Sequence, residues 1–489
     1  MTSAILAIDQ GTTNSKAVLV SEAGEILSRG ASPVGIEHPQ PGWVEQSPRR
    51  IWESVLEAIA ACWAAGPKVE IAGLAISNQR ESVTVWDAKT GEPLGPVVSW
   101  QCRRSAPACA RLNAAGHAAR VQTLTGLPID PMFPGPKMKW LLDRVPSGRA
   151  VRIGTIDSWL IHCLTGGAVH ACDASNAARS QLFDLGGRRW SDELAELFGI
   201  PLAVLPEVRD SAGDFGVTRG VPGLPDALPV RAAIGDSHAA LFGHGAFHPG
   251  DGKITFGTGS SVMTTLPSYI APDRGITTTI AWQIDGRATY AFEGNILVSA
   301  ASLPWMAGVL GLSDVQALTD LAATAASGSA GFVPAFVGLG APYWHAEARA
   351  LFSGITFNTT RADLARAVTD SMAFQVFDVV SAMSAQSPAP LGSLYVDGGP
   401  SQNRFLMQCV ADVLGHALIQ RDAPEASALG AAYLAGLALG VWPGLDSIAA
   451  LPRTGHTIMP REGDTSRAIA IWHDAITRST LPGAVYNGE

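Results

Sequence analysis

The chain opens on an apolar run, Ala4 to Ile8, that stops at a carboxylate, Asp9. It then crosses Gly11, Thr12, Thr13, Asn14 and Ser15 and turns apolar again up to Val20. Short apolar runs bounded by turn residues predict buried strands, and the polar interval predicts the tight turn between them. A second turn at "SEAG" leads to a third strand around Glu25 to Ser28. The period then becomes helical. In "SPRRIWESVLEAIAACW", Ile51, Val55, Leu56 and Ile59 share one face, Ser47 is placed to cap the amino end and Pro48 suits the first turn. Another apolar strand, "IAGLAIS", ends at Asn78, Gln79, Arg80 and Glu81, so polar residues again gather at a strand's carboxyl end.

Residues Pro201 to Pro229 are rich in Pro and Gly and read as a long connection over a domain surface. Beyond them "VRAAIGDSHAALFG" repeats the plan of an apolar strand running into Gly235 and Asp236, with a helix after it. "KITFGTGSSVMTTL", Lys253 to Leu266, then has the layout of the opening stretch: strand, Gly-Thr turn with neighbouring Ser, strand. A supersecondary unit that occurs twice implies two related α/β domains meeting at their turns. The turn residues of "GHGAFHPGDG" place the boundary near Gly243 to Gly252, dividing the chain into residues 1–243 and 244–489. A third strand-to-turn junction, "LYVDGGPSQNRF", is expected to run into a helix whose free amino end suits a nucleotide phosphate or ribose.

Composition narrows the function classes. With 489 residues the chain is too long for one core, and 47% hydrophobic against 16% charged residues describes a folded protein. A net charge of -9 argues against a nucleic-acid surface, which needs clustered Lys and Arg. The six cysteines show neither CxxC nor a zinc-type His spacing, and are expected as reduced thiols. The amino end lacks a basic segment, and "AAYLAGLALGVW" falls short of the roughly 20 residues that span a bilayer. The expectation is a soluble cytoplasmic protein without a membrane partner; a homo-oligomer is compatible with the sequence.

Glycine-rich turns let backbone amides approach an anion, and Thr or Ser hydroxyls add donors. Two such turns facing each other, Gly11 to Ser15 and Gly257 to Ser261, can hold a polyphosphate from both sides. No GxxxxGK[ST] segment is present, so the P-loop solution is absent.

Taken with these turns, the segments "DQGTTNSKAV", "PGWVEQSP", "ISNQRES", "SWQCRRSA", "MFPGPKMKWLLD", "GTIDSWLIHCLTGG", "DASNAARSQLFD", "GDSHAALFG", "FGTGSS", "PAFVGLGAPYW", "VDGG" and "ALGAAYLAG" resemble, in order and over nearly the whole chain, the FGGY carbohydrate kinases of the actin-like ATPase superfamily, and within them the glycerol kinases. The resemblance implies an α/β fold of two ribonuclease-H-like domains flanking a central cleft that binds ATP and a polyol or sugar. Asp236 matches the catalytic base, and Asp9 the carboxylate that holds Mg2+, through water because that ion keeps much of its hydration shell. Thr12, Thr13 and Asn14 match the first phosphate turn, Gly257 and Thr258 the second, and Gly399 and Asn403 the adenine-nucleotide side. Arg80, Glu81 and Trp100 match the positions that hydrogen-bond the sugar hydroxyls and pack on the carbon chain.

Five departures stand out. Lys16 occupies a glycerol kinase Arg position, which implies a point charge on the terminal phosphate in place of a bidentate fork. Met132 stands for Tyr, Ser237 for Gln and Ser261 for a Phe that covers glycerol, implying a larger pocket, with His238 as a further donor or a core residue. "TRGVPGLPDALPV" has no equivalent of the activator-sugar loop of the bacterial glycerol kinase. A ketopentose kinase of xylulokinase type shares the fold and base but not usually "NQRE" or "WQCRR". A non-enzymatic actin-like ATP switch shares the phosphate turns but has no use for Arg80, Glu81 and Trp100.

Overall fold

Each half of the chain builds one large β-sheet, beside smaller ones, in the computed structural model, which describes residues 3–422 and 425–481. In the first, β1 (Ser3–Gln10), β2 (Asn14–Ser21) and β3 (Ile26–Pro33) form the expected antiparallel meander. A parallel neighbour requires a crossover, and α1 (Pro48–Ala65) supplies it before β4 (Glu70–Asn78) joins alongside β1. Ser47 caps α1 by accepting the Arg50 amide; Ile51, Val55, Ala58 and Ile59 are buried, while Leu56 sits half-buried at the edge. β5 (Val230–Gly235) adds parallel to β4, giving the order β5-β4-β1-β2-β3.

The second sheet repeats this plan and extends it. β6 (Gly252–Phe256) and β7 (Ser260–Leu266) form the second hairpin, β8 (Thr277–Ile284) and β9 (Arg287–Ile296) continue antiparallel, and β10 (Leu394–Asp397) lies parallel to β6. With β11 (Leu418–Arg421) and β12 (Gly455–Ile458) the order is β8-β9-β7-β6-β10-β11-β12. In both sheets the carboxyl ends of parallel strands carry the polar residues, which is where open α/β sheets bind ligands.

Between the sheets lie α2 (Asp236–His244) and α3 (Ala426–Ala438), in one apolar cluster with Ile5, Ala7 and Ile234 from the first sheet and Met263, Ala281 and Tyr395 from the second. The two helices touch backbone to backbone. A Cβ added at Gly430 would lie 1.8 Å from the Ala239 carbonyl oxygen, so only glycine fits. α3 also packs on β1, β4 and β5, so the second half of the chain contributes a helix to the core of the first sheet.

The connection Pro201 to Pro229 is less free than its composition suggests: Glu207–Arg209 pairs with Ala171–Asp173, and Phe215 is buried. Among the described residues no helix is long and apolar enough to cross a membrane. All six cysteines are free.

Candidate active site

Asp9 is the last residue but one of β1, and Ser77 Oγ donates to its Oδ1 at 3.0 Å. Burial raises its carboxyl to about 6; Lys16 opposes the rise, while Asp236 adds to it. In the first turn the Gly11 amide closes onto Asn14 O at 2.9 Å, while the Thr12 and Thr13 amides find no protein acceptor among the described residues. Thr13 and Asn14 are exposed, and Thr12 Oγ1 accepts the Trp100 indole N–H at 3.0 Å. Ser15 does not belong to this donor set. Its hydroxyl turns inward to Ser54 Oγ at 2.7 Å because β2 has already begun. Lys16 Nζ lies 2.8 Å from Glu425 Oε2, just ahead of α3. The second turn mirrors the first, with Gly257 N on Gly259 O at 2.8 Å, Thr258 exposed, and the Thr258 and Gly259 amides without a protein acceptor among the described residues.

On the far side of the second turn, Gly398 (φ 89°) lets β10 reverse where an added Cβ would meet Phe256 O at 1.9 Å. Gly399–Gln402 then forms a 3-10 turn, and the helix Arg404–Leu414 starts only after it. The expected free helix end is already capped: Asn403 accepts the Leu406 amide and donates to Thr319 Oγ1, each at 3.0 Å. Beside it a hollow of about 390 Å³ is lined by Ala300, Leu303, Val315, Gly399, Asn403 and Leu406, an apolar slot with a polar rim that suits a flat heterocycle. Asp397 is held down to about 2: burial alone would raise it, but the hydrogen bond from His244 and the charge of Lys253 outweigh that.

Arg80 and Glu81 belong to a buried chain of charges. Arg80 Nε donates to Asp236 Oδ1 at 3.2 Å and its Nη1 lies 2.8 Å from Glu293 Oε1. Arg179 Nη1 lies 2.6 Å from Glu293 Oε2, and its Nε donates to Glu81 Oε1 at 2.7 Å. Burial disfavours charge on Glu293, yet Arg179 and Arg80 hold its carboxyl well below the usual carboxylate range. Arg179 and Glu293 were not among the residues singled out from sequence. Glu293 did carry a signal, as a lone carboxylate inside the apolar strand "YAFEGNI"; Arg179 lies in "DASNAARSQLFD", with nothing local to mark it. Behind them Asp173 caps the short helix that delivers Arg179, accepting the Ser175 and Asn176 amides and the Ser211 hydroxyl. Asn176 and Asn78 exchange reciprocal amide bonds at 3.0 Å, tying this support to the end of β4.

Asp236, at the amino end of α2, keeps 38% of its side chain open to the gap; desolvation still raises its carboxyl, with Arg80 pulling the other way. Both its donors, the Ser237 amide at 2.6 Å and Arg80 Nε, sit on Oδ1, so Oδ2 has no partner among the described residues. Ser237 and Ser261 meet across the gap with hydroxyls 3.4 Å apart, and Ser261 Oγ is 3.4 Å from Glu293 Oε1. Met132 is half-buried. His238 is a core residue: fully buried and held neutral by desolvation, it faces Thr279 Oγ1 at 3.4 Å.

Among the described residues no three acidic, thiol or imidazole groups gather to cage a metal. The donor set fits a Mg2+ carried in by phosphates, which needs only one or two carboxylates and its own waters. Asp9, a buried carboxylate beside which a cation is favourable, fits that requirement.

Residues 4–243 match the FGGY family of carbohydrate kinases, N-terminal domain, and residues 252–439 match the C-terminal domain of the same family. The chain is 46% identical over 494 residues to the apulose kinase of Pectobacterium atrosepticum, covering 98% of this chain and 99% of that one. It is 43% identical over 489 residues to a glycerol kinase of Symbiobacterium thermophilum, covering 97% and 98%. The crystal structure of Plasmodium falciparum glycerol kinase with ADP superposes with a TM-score of 0.92 at 29% identity, covering 99% of both chains. Similarity that runs through both sheets and nearly the whole length has one reading: this protein belongs to the FGGY family of carbohydrate kinases, enzymes that phosphorylate a sugar or polyol.

Proposed function

We propose that this kinase transfers the terminal phosphoryl group of ATP to a primary hydroxyl of a polyol or ketose of four or five carbons, with Asp236 as the base. The observation that carries the proposal is the unpartnered Oδ2 of Asp236, a carboxylate whose other oxygen is held by Arg80 and the Ser237 amide. Phosphoryl transfer needs alignment of the attacking oxygen, a proton acceptor and neutralisation of charge on the moving group. Arg80 and Glu81 hold the hydroxyls, and Trp100, tethered to Thr12, sits between sugar and phosphates. Oδ2 takes the proton of the attacking hydroxyl. The amides and side chains of Thr12, Thr13, Asn14, Gly257 and Thr258 hold the phosphates, Lys16 leaves Glu425 for the terminal phosphate, and the adenine lies in the hollow by Gly399 and Asn403. A Mg2+ at Asp9, when bound, supplies charge neutralisation. In this reading residues 1–243 form the sugar lobe and 244–489 the nucleotide lobe, with α3 lent back to the first; the six free cysteines suit a reducing cytoplasm.

Asp9→Ala is expected to raise the apparent Mg2+ constant, and in the parent that constant should also rise as pH falls through about 6, where protons compete for the carboxylate. Initial rates titrated with Mg2+ at two pH values check this; an unchanged titration in the variant counts against the role.

The size of the substrate follows from Ser237 and Ser261. Two small hydroxyls meet where a Gln and a Phe would fill the space, and the relative at 46% identity bears the name apulose kinase. A misfit of one methylene is worth roughly 1–3 kcal/mol, so catalytic efficiency should favour the larger acceptor by tenfold or more. Glycerol, erythritol, ribitol, xylitol, xylulose and apulose decide it. A clear optimum at glycerol, the substrate in the name of the relative at 43% identity, would return the pocket to three carbons.

A further inference from the structure

We infer that Lys137 is a positioning residue that sets the shape of the sugar pocket by holding three loops on one ammonium. The inference rests on reading Glu81, Trp100 and Met132 as sugar-side residues. Lys137 lies in the helix Pro134–Leu142 and its side chain is fully buried. Its Nζ donates to the carbonyl oxygens of Met132 at 2.5 Å, Glu81 at 2.6 Å and Ser99 at 3.4 Å. Two of these acceptors belong to sugar-side residues, and the third immediately precedes Trp100. Three N–H groups meet three carbonyls, and no carboxylate lies within ion-pair distance of Nζ among the described residues. A buried ammonium without a paired anion is costly unless its hydrogen bonds are complete. Burial pushes Lys137 down to about 7, with the charge of Glu81 opposing.

Glu81 shows what the ammonium holds in place. Its φ is 60°, a left-handed conformation that a non-glycine residue keeps only where its surroundings impose it. Lys137 grips the carbonyl of this residue, and Arg179 grips its carboxylate. Without the ammonium, Glu81 is free to relax to negative φ, which redirects its carboxylate, and the Met132 and Trp100 loops lose their common anchor. Lys137 touches no substrate atom in this account. It acts through the three residues that do.

The test uses Lys137→Met, which keeps the bulk without donors, and Lys137→Gln, which keeps a shorter donor. Sugar KM should rise roughly tenfold or more, as misplaced contacts do, and the ratio of kcat/KM between a three-carbon and a five-carbon acceptor should change. The KM for ATP should move several-fold less than the sugar KM, because the phosphate turns meet Lys137 only through the single hydrogen bond from Trp100 to Thr12. A lowered thermal midpoint with parental sugar KM and parental acceptor ratio overturns the inference, since a fold support alters neither in the molecules that remain folded. If neither variant folds, the parent enzyme carries the test. Above about pH 7 the amine keeps two N–H for three carbonyls, so sugar KM should climb more than the KM for ATP. The other titratable groups around Nζ are Glu81, Asp130, Cys102 and Cys109. A sugar KM still flat at about pH 10, where even an unshifted lysine loses its proton, overturns the inference. Trp100→Ala and Met132→Tyr separate the two levels. If they shift sugar KM and the Lys137 variants do not, only the role of Lys137 fails; if they do not, the sugar-side reading fails with it.

Discussion

Replacing Asp236 with Asn is expected to lower kcat by about 10²–10⁴-fold, the range a positioned general base supplies, while nucleotide binding stays at the parental level. The amide oxygen of Asn can still accept the Ser237 amide and Arg80 Nε, so the geometry at Oδ1 survives. What changes is the free position: Oδ2 becomes an NH2 that donates toward the substrate hydroxyl and takes no proton. The sign of the pH dependence follows from the same carboxyl. Desolvation raises it, against the pull of Arg80, so the parental kcat should fall on the acid side, at a pH above that of an ordinary aspartate, and that limb should vanish in the variant. Stopped-time phosphorylation of the preferred sugar, with ADP binding measured by calorimetry, checks both parts. Turnover within a few fold of the parent would remove Asp236 from the proton transfer.

The second large effect is expected at Glu293. Arg80, Arg179, Glu81, Glu293 and Asp236 carry a net charge of -1, and Glu293 is the member contributed by the second sheet. Breaking a buried ion pair from one side typically costs about 3–5 kcal/mol, because the partner is left uncompensated; Glu293→Gln strips a counter-charge from two arginines at once. It also frees Arg80 Nη1, and a guanidinium that can swing fully onto Asp236 makes that carboxylate a poorer base. The double variant Glu293→Gln with Arg179→Gln restores the net charge of -1 and offers an amide pair in place of the ion pair. Thermal unfolding should therefore recover in part in the double variant, the remaining loss coming from Glu81, which no longer has Arg179. Activity should not, because Arg80 still lacks its anchor. A single variant as stable and as active as the parent would show that the arginines need no anion there.

The contrast between these two residues explains what was legible beforehand. Asp236 stands at a strand-to-helix junction, and the pattern that reveals it lies within a few neighbours, as does the Ser47 cap of α1. Arg179 and Glu81 are 98 positions apart, and Glu293 joins them from the other sheet, so no window of sequence contains the reason for any of them. Register decided the smaller misses. Ser15 looks like the other hydroxyls of the turn until β2 is known to start at Asn14, after which alternation sends it inward. At Asn403 the signal was local: an Asn ahead of a helical stretch is a common cap, and the cap takes up one of the amides at the helix end. His238 faced two ways by sequence, and only the packing of α2 against β8 turned it to Thr279.

The contact between α2 and α3 bears on how such a cleft can move. Interlocked side chains can shift from one packed arrangement to another, but at Gly430 the Ala239 carbonyl rests on bare backbone. Sliding one helix along the other would drive a neighbouring Cβ into that oxygen, so translation is blocked where rotation about the crossing is not. The crossing thus works as a pivot pin. Asp236 sits at the end of one helix and Glu425, the partner of Lys16, at the amino end of the other, so these two carboxylates can turn about the crossing but not slide past one another.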